Sequence, residues 1–161
     1  MNVRLPLAVR RRFGSSHGAA LVELAASILV ITIVLVGTTD FARVYHHVID
    51  LDTAARAGAQ YGAVSLANSS DTAGMQAAAV AAAPDTALTA VASRTCWCAT
   101  DDGATYTSGV SCTDECPTGP PEQHLIVTVT VNASYTFRTF AKVAPIPSNF
   151  TLTRTATLRA Q

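Results

Sequence analysis

Hydrophobic and polar positions change rhythm along this chain, and each rhythm predicts a different element. From Gly18 to Thr39 the residues GAALVELAASILVITIVLVGTT are apolar throughout except for Glu23. The 21 residues from Ala19 to Thr39 would give about 31 Å of helix at about 1.5 Å per residue, which matches a hydrocarbon core about 30 Å thick. A lone segment can cross only as a helix, because hydrocarbon offers the backbone no hydrogen-bond partners. That constraint outweighs the weak helix propensity of the many Ile, Val and Thr residues. The run does not break at Thr39. Asp40 to Leu66 lacks proline, and Phe41, Val44, Tyr45, Val48, Leu51, Ala55, Ala59 and Gly62 recur at three- and four-residue steps, the period of an amphipathic helix. Asp40 can pair with Arg43 at i+3 and Asp52 with Arg56 at i+4, each pair adding a few tenths of a kcal/mol. The pattern therefore predicts one helix, membrane-spanning over 19–39 and continuing as a stalk over 40–66 to about Ser65. Its apolar stripe, Phe41 and Tyr45 included, would lie on a globular head at 67–161.

Asn68-Ser69-Ser70-Asp71 reads as a turn with capping residues, followed by an alanine-rich helix from Thr72 to Ala83 that stops at Pro84. Its side chains are too small to build a large core, which predicts a place on the head's surface. From Thr86 the period becomes two. Leu88, Ala90 and Ala92 alternate with Thr89, Val91 and Ser93, leading into Cys96-Trp97-Cys98, and Asp101-Asp102-Gly103 signals a turn before a return strand at 105–110. The clearest strand is 124–137, where Leu125, Val127, Val129 and Val131 alternate with Ile126, Thr128, Thr130 and Asn132. The stretch 150–159 alternates again. Three or four antiparallel strands on the stalk helix make an α+β head.

Charge adds a direction. The chain balances eleven basic against eleven acidic residues, but Arg4, Arg10, Arg11 and Arg12 all precede the apolar run. The remainder carries about −4, so nucleic-acid binding has no electrostatic basis. The basic leader, residues 1–18, places the N-terminus in the cytoplasm by the positive-inside rule. A secretory signal fits less well, since the run is too long for an h-region, contains Glu23 and lacks an A-x-A site after it. Cys96, Cys98, Cys112 and Cys116 match the ligand count of a zinc tetrathiolate, but C-x-C…C-x3-C is an atypical zinc spacing. In an oxidising compartment four cysteines read as two disulfides. Closing Cys96 on Cys98 would make a strained short ring, so each should cross to Cys112 or Cys116; nested and crossed pairings both stay open. No catalytic constellation or phosphate loop is present. His46 and His47 are adjacent on a helix and are expected to point to different faces, with no metal or base role, and His124 starts a strand. Neither a cofactor nor a small-molecule substrate is implied.

Glu23 is the anomaly, because a carboxylate inside a membrane span normally marks function. Five residues before it, Gly18 stands where the basic leader meets the apolar run. This arrangement resembles the prepilin signature of type IV pilins and pseudopilins. The resemblance implies cleavage by prepilin peptidase between Gly18 and Ala19, and a new α-amine at Ala19 that could neutralise the glutamate of a neighbouring subunit during assembly. Leu24 follows the glutamate where Flp-type major pilins have tyrosine, which speaks against a major pilin.

Two further stretches sharpen the resemblance. Asp40-Phe41-Ala42-Arg43 is similar to the acidic-aromatic-small-arginine motif of TadE-like proteins, and Ala54-Ala55-Arg56-Ala57-Gly58-Ala59 to their second motif. The resemblance is specific over about Gly18 to Ala63. It implies a pilin-like fold and a minor pseudopilin of the tight-adherence (Flp) pilus. Such a protein would sit in the bacterial inner membrane with a disulfide-stapled periplasmic head, working with prepilin peptidase, other pilins and the pilus secretion machinery. The alternative is an uncleaved, membrane-anchored periplasmic binding or scaffold protein. Gly58 and Gly62, with Ala54 before them, form a small-residue face suited either to the protein's own sheet or to another helix.

Overall fold

A computed structural model describes residues 16–84, 86–101, 103, 106–108, 110–116, 122–140 and 147–160. The leader arginines lie outside the described residues. In order the elements are α1 (Ser16–Ala63), α2 (Leu66–Ser70), α3 (Thr72–Ala81), β1 (Thr89–Ala99), β2 (Tyr106–Ser108), β3 (His124–Arg138) and β4 (Asn149–Arg159). The chain divides into two units, Met1–Thr38 and Thr39–Gln161.

The first unit is the apolar part of α1. Its side chains are exposed from Gly18 onward, and α1 is long and apolar enough to cross a membrane. The hydroxyls within it are turned inward on the backbone. Ser27 donates to the Glu23 carbonyl at 2.9 Å, Thr32 to Ile28 at 2.8 Å and Thr38 to Val34 at 2.7 Å. Each i−4 bond removes a polar group that hydrocarbon would leave unpaired.

The second unit is α+β and pilin-like. Its sheet has the order β2-β1-β3-β4 with every neighbouring pair antiparallel. The register pairs Val131 with Ala92 on one side and Ala156 on the other. Those residues share a face with Val129 and Ala133, and that face carries the core against Leu51, Ala54, Ala55 and Ala59 of α1. The opposite face is rich in threonine; Thr130 and Thr157 are hydrogen-bonded across it at 3.2 Å. Within this unit α1 runs antiparallel to β3. His47 meets Tyr135 and Phe137, Gly58 faces Val131 and Gly62 faces Val129.

α1 ends at Ala63, where Asn68 Nδ2 donates to the Tyr61 carbonyl at 3.2 Å and Ser65 caps α2 through the Asn68 N–H at 3.1 Å. The expected turn at 68–71 is thus the end of a short helix. Asp71 caps α3, accepting from the Gly74 N–H at 2.8 Å and from the Tyr61 hydroxyl at 2.9 Å. These two donors hold its carboxyl below the usual carboxylate range, the backbone bond first.

Two expectations are corrected in part. The alanine-rich helix does lie at the surface, with Thr72, Ala73, Ala77, Val80 and Ala81 exposed, but it also contributes to the core: Met75 and Ala79 are fully buried, because the glycines of α1 let the two backbones approach closely. The stalk's apolar stripe is buried as expected at Leu51, Ala55, Ala59 and Gly62 and half-buried at Val44 and Val48, but its first members are not covered. Leu51, Ala54, Ala55, Gly58, Ala59 and Gly62 are buried, whereas Phe41 and Tyr45 are exposed. Phe41 and the buried Ala59 are eighteen residues apart and so lie on one side of the helix; they differ in how much of the head covers them, not in face.

Candidate functional site

The residues singled out by sequence fall on α1 and at the two ends of the sheet. Glu23 lies in the exposed apolar part of α1 with Gly18 and Ala19 one turn before it, and helix extends through all three. A Cβ at Gly18 would meet nothing within 4 Å, so packing does not explain a glycine there.

One turn past the apolar run, Asp40 and Arg43 form a clasp on the far end of β3. Arg43 Nη1 donates to Asp40 Oδ1 at 3.1 Å and to the carbonyl of Arg138 at 3.4 Å. The Asp40 carboxylate accepts the Phe140 N–H at 3.0 Å. The Arg43 guanidinium lies 4.0 Å from the Phe140 ring centroid and 4.9 Å from that of Phe137, an arrangement whose electrostatic attraction grows as water is excluded. Phe137 is fully buried and also packs on Phe150, with centroids 5.3 Å apart. This pair is therefore not a mere solvated ion pair. Both hydrogen bonds come from the one nitrogen Nη1, which leaves the planar guanidinium free to lie against the rings, a stacking contact that the compact ammonium of lysine lacks.

The second motif divides its labour. Ala54, Ala55 and Gly58 are buried, and Gly58 faces the Met75 carbonyl and Val131. Arg56 points outward and pairs with Asp52 at 2.9 Å, both well exposed, where an ion pair contributes little. The small-residue face of α1 is thus filled by the protein's own α3 and β3.

Between the motifs, His46 and His47 both reach Asp50, contrary to the expectation that adjacent histidines diverge. Asp50 lies at i+4 from one and i+3 from the other, so one carboxylate spans both. Its Oδ2 is 3.0 Å from His46 Nδ1 and 4.0 Å from His47 Nδ1, and it accepts the buried Thr86 hydroxyl at 2.6 Å. His47 stacks on Tyr135 with ring centroids 4.4 Å apart. Burial lowers the His47 pKa despite the opposing pull of Asp50, and His46 and Arg43 push it the same way. The three ligand-capable atoms lie within 4.8 Å of one another, already joined by this network.

At the other end of the sheet all four cysteines are paired. Cys96 bonds Cys112 and Cys98 bonds Cys116, which is the crossed arrangement. Cys96 and Cys98 share one face of β1, two residues apart, so both bridges tie the 100–116 loop to that face. With every cysteine sulfur in a disulfide, this oxidised form holds no thiolate.

Residues 18–60 match the family model described as TadE-like protein. Over that stretch α1 is similar to TadE-like proteins. No curated protein and no solved structure matches the chain.

The TadE-like segment covers the apolar run, the clasp residues on α1 and the second motif, and stops short of the sheet. The match points to a tight-adherence pilus system and a membrane. The partners of the TadE-like residues, namely Phe137, Phe140, Thr86 and Met75, lie outside it. Sequence reasoning missed them. Phe137 was visible only as an aromatic at a strand end, and the remaining three sat in a loop, before a strand and in an alanine tract with no periodic signal.

Proposed function

We propose that this protein is a minor pseudopilin that takes part in assembling, priming or capping a tight-adherence pilus. It would be cleaved by prepilin peptidase between Gly18 and Ala19 and anchored in the bacterial inner membrane with the Thr39–Gln161 unit in the periplasm. The observation carrying this reading is the single carboxylate, Glu23, in an apolar TadE-like helix, five residues after Gly18. Glu23 lies four residues inside the span, where a charge is unfavourable, though less so than the about 2.5–3.5 kcal/mol that insertion scales give at the centre. Pairing with the Ala19 amine of an adjoining subunit offsets that cost only in an assembly, so Glu23 sets register between subunits. The role is structural and not enzymatic.

Glu23→Leu is expected to insert and be processed yet fail to support piliation in cells lacking the native copy. Normal pili in that strain would remove the assembly role. N-terminal sequencing of membrane-extracted protein should find Ala19 first. An intact leader in cells that contain the peptidase would favour the uncleaved scaffold instead.

A further inference from the structure

We propose that Phe41, Tyr45 and Phe140 form an aromatic collar seated in the lipid–water interface, so that the end of the Thr39–Gln161 unit around Asp40 docks on the bilayer surface. The proposal rests on reading the apolar run as a single-pass anchor. All three rings are exposed, at 72%, 62% and 67% respectively. Large apolar groups clustered in the open mark an interaction surface. Phe140 is also held in place: its N–H is bonded to Asp40 and its ring lies against Arg43.

The occupant follows from position. Asp40 is the first residue after the apolar run. At about 1.5 Å per residue, Phe41 stands roughly 3 Å and Tyr45 roughly 9 Å along the helix beyond Thr39. The headgroup layer on each side of a bilayer is about 5–7 Å deep, so both rings fall in or at the edge of it. Amphipathic aromatics concentrate at that depth in membrane proteins.

The rings also flank the helix on two sides. At about 100° per residue, Phe41 and Tyr45 lie roughly 100° and 140° around from Asp40, whereas Phe140 approaches from the sheet side. A protein partner would contact one side of such a collar, whereas a bilayer contacts all of it. Arg138 is exposed beside Phe140 and offers a cation to lipid phosphates. The collar would hold the sheet at a set height above the membrane, with the disulfide loop at the remote end. β3 spans fifteen residues, so its two ends are about 45 Å apart.

The test uses the full chain reconstituted in phosphatidylethanolamine/phosphatidylglycerol vesicles containing lipids brominated near the headgroup end of the acyl chain. Trp97, the single tryptophan, pairs with Ile126 near the far end of β3 and serves as the unquenched internal reference. In Phe140→Trp, the introduced indole is expected to lose about half its emission to shallow bromines, as an interfacial tryptophan should. Phe41→Trp should behave alike. Quenching no greater than that of Trp97, in protein that resists carbonate extraction, would overturn the collar and leave the anchor intact. Extraction of the chain by carbonate would overturn both. A blue shift at position 140 that depends on protein density, without bromine quenching, would assign the rings to a protein contact and reject the lipid.

Discussion

Gly58→Ala tests whether the TadE-like small-residue face exists for the protein's own packing. In a helix, Gly to Ala normally stabilises by about 1 kcal/mol through backbone entropy. Here the added Cβ would lie 2.7 Å from the Met75 carbonyl oxygen, 3.1 Å from the Ala79 Cβ and 3.2 Å from Val131 Cγ1. The nearest atom is backbone, so relief requires α3 to move away from α1 and opens contacts around Met75 and Ala79. A clash with backbone puts the cost in the upper part of the range for overpacking, about 2–3 kcal/mol, and after the propensity gain of about 1 kcal/mol the net loss should be about 1–2 kcal/mol. For a domain of this size that lowers the melting temperature by roughly 4–8 °C. Gly62→Ala is the matched control one turn later. Its nearest clash is with the Met75 thioether sulfur, the mobile part of a flexible side chain that can rotate aside. Gain and loss then nearly cancel, and its stability should stay within about 1 kcal/mol of wild type. The assay is thermal unfolding of the oxidised full chain in mild detergent, followed by near-UV circular dichroism and Trp97 fluorescence. Gly58→Ala as stable as wild type or more so would refute the reasoning and return the glycine face to an intersubunit role. A larger loss at Gly62 than at Gly58 would refute the distinction between backbone and side-chain clashes.

His47 should make stability depend on pH. Burial lowers its folded pKa below the unfolded value of about 6.5, so the folded state binds fewer protons in that window. The resulting stabilisation is present above about pH 6.5 and is lost as pH falls from there through the folded value. Urea midpoints at about pH 7.5 and 5.5 should therefore differ more in wild type than in His47→Gln, and an equal difference would refute the account. Reduction of the bridges should act locally, because β2 contributes only three pairings to β1 while closures of sixteen and eighteen residues supply about 3 kcal/mol each. Amide exchange at 106–116 should rise roughly a hundredfold on reduction, with Val129–Phe137 still protected. Loss of protection throughout β3 would show that the loop supports the whole sheet.

The helix, its length and its apolar run were legible in sequence because hydrophobicity over many residues is a local, additive signal. So was the central strand, whose inward residues Val127, Val129 and Val131 are all buried. Glu23 and the TadE-like motifs stood out for a related reason: a charge in lipid and an arginine in a short helical motif are anomalies against their immediate neighbours. What Arg43 does was not legible, because its ring partners come from almost a hundred residues away and were brought there only by the antiparallel course of β3 along α1. The same holds for the Thr86–Asp50 bond and the choice of crossed disulfides. The alanine-rich helix shows the limit most clearly. Small side chains look like poor core formers one at a time, and only when two backbones meet across Gly58 does their smallness become the reason for burial. The two exposed rings at Phe41 and Tyr45 belong with these cases, since a helical stripe tells which residues share a face but not along how much of its length the head will cover it.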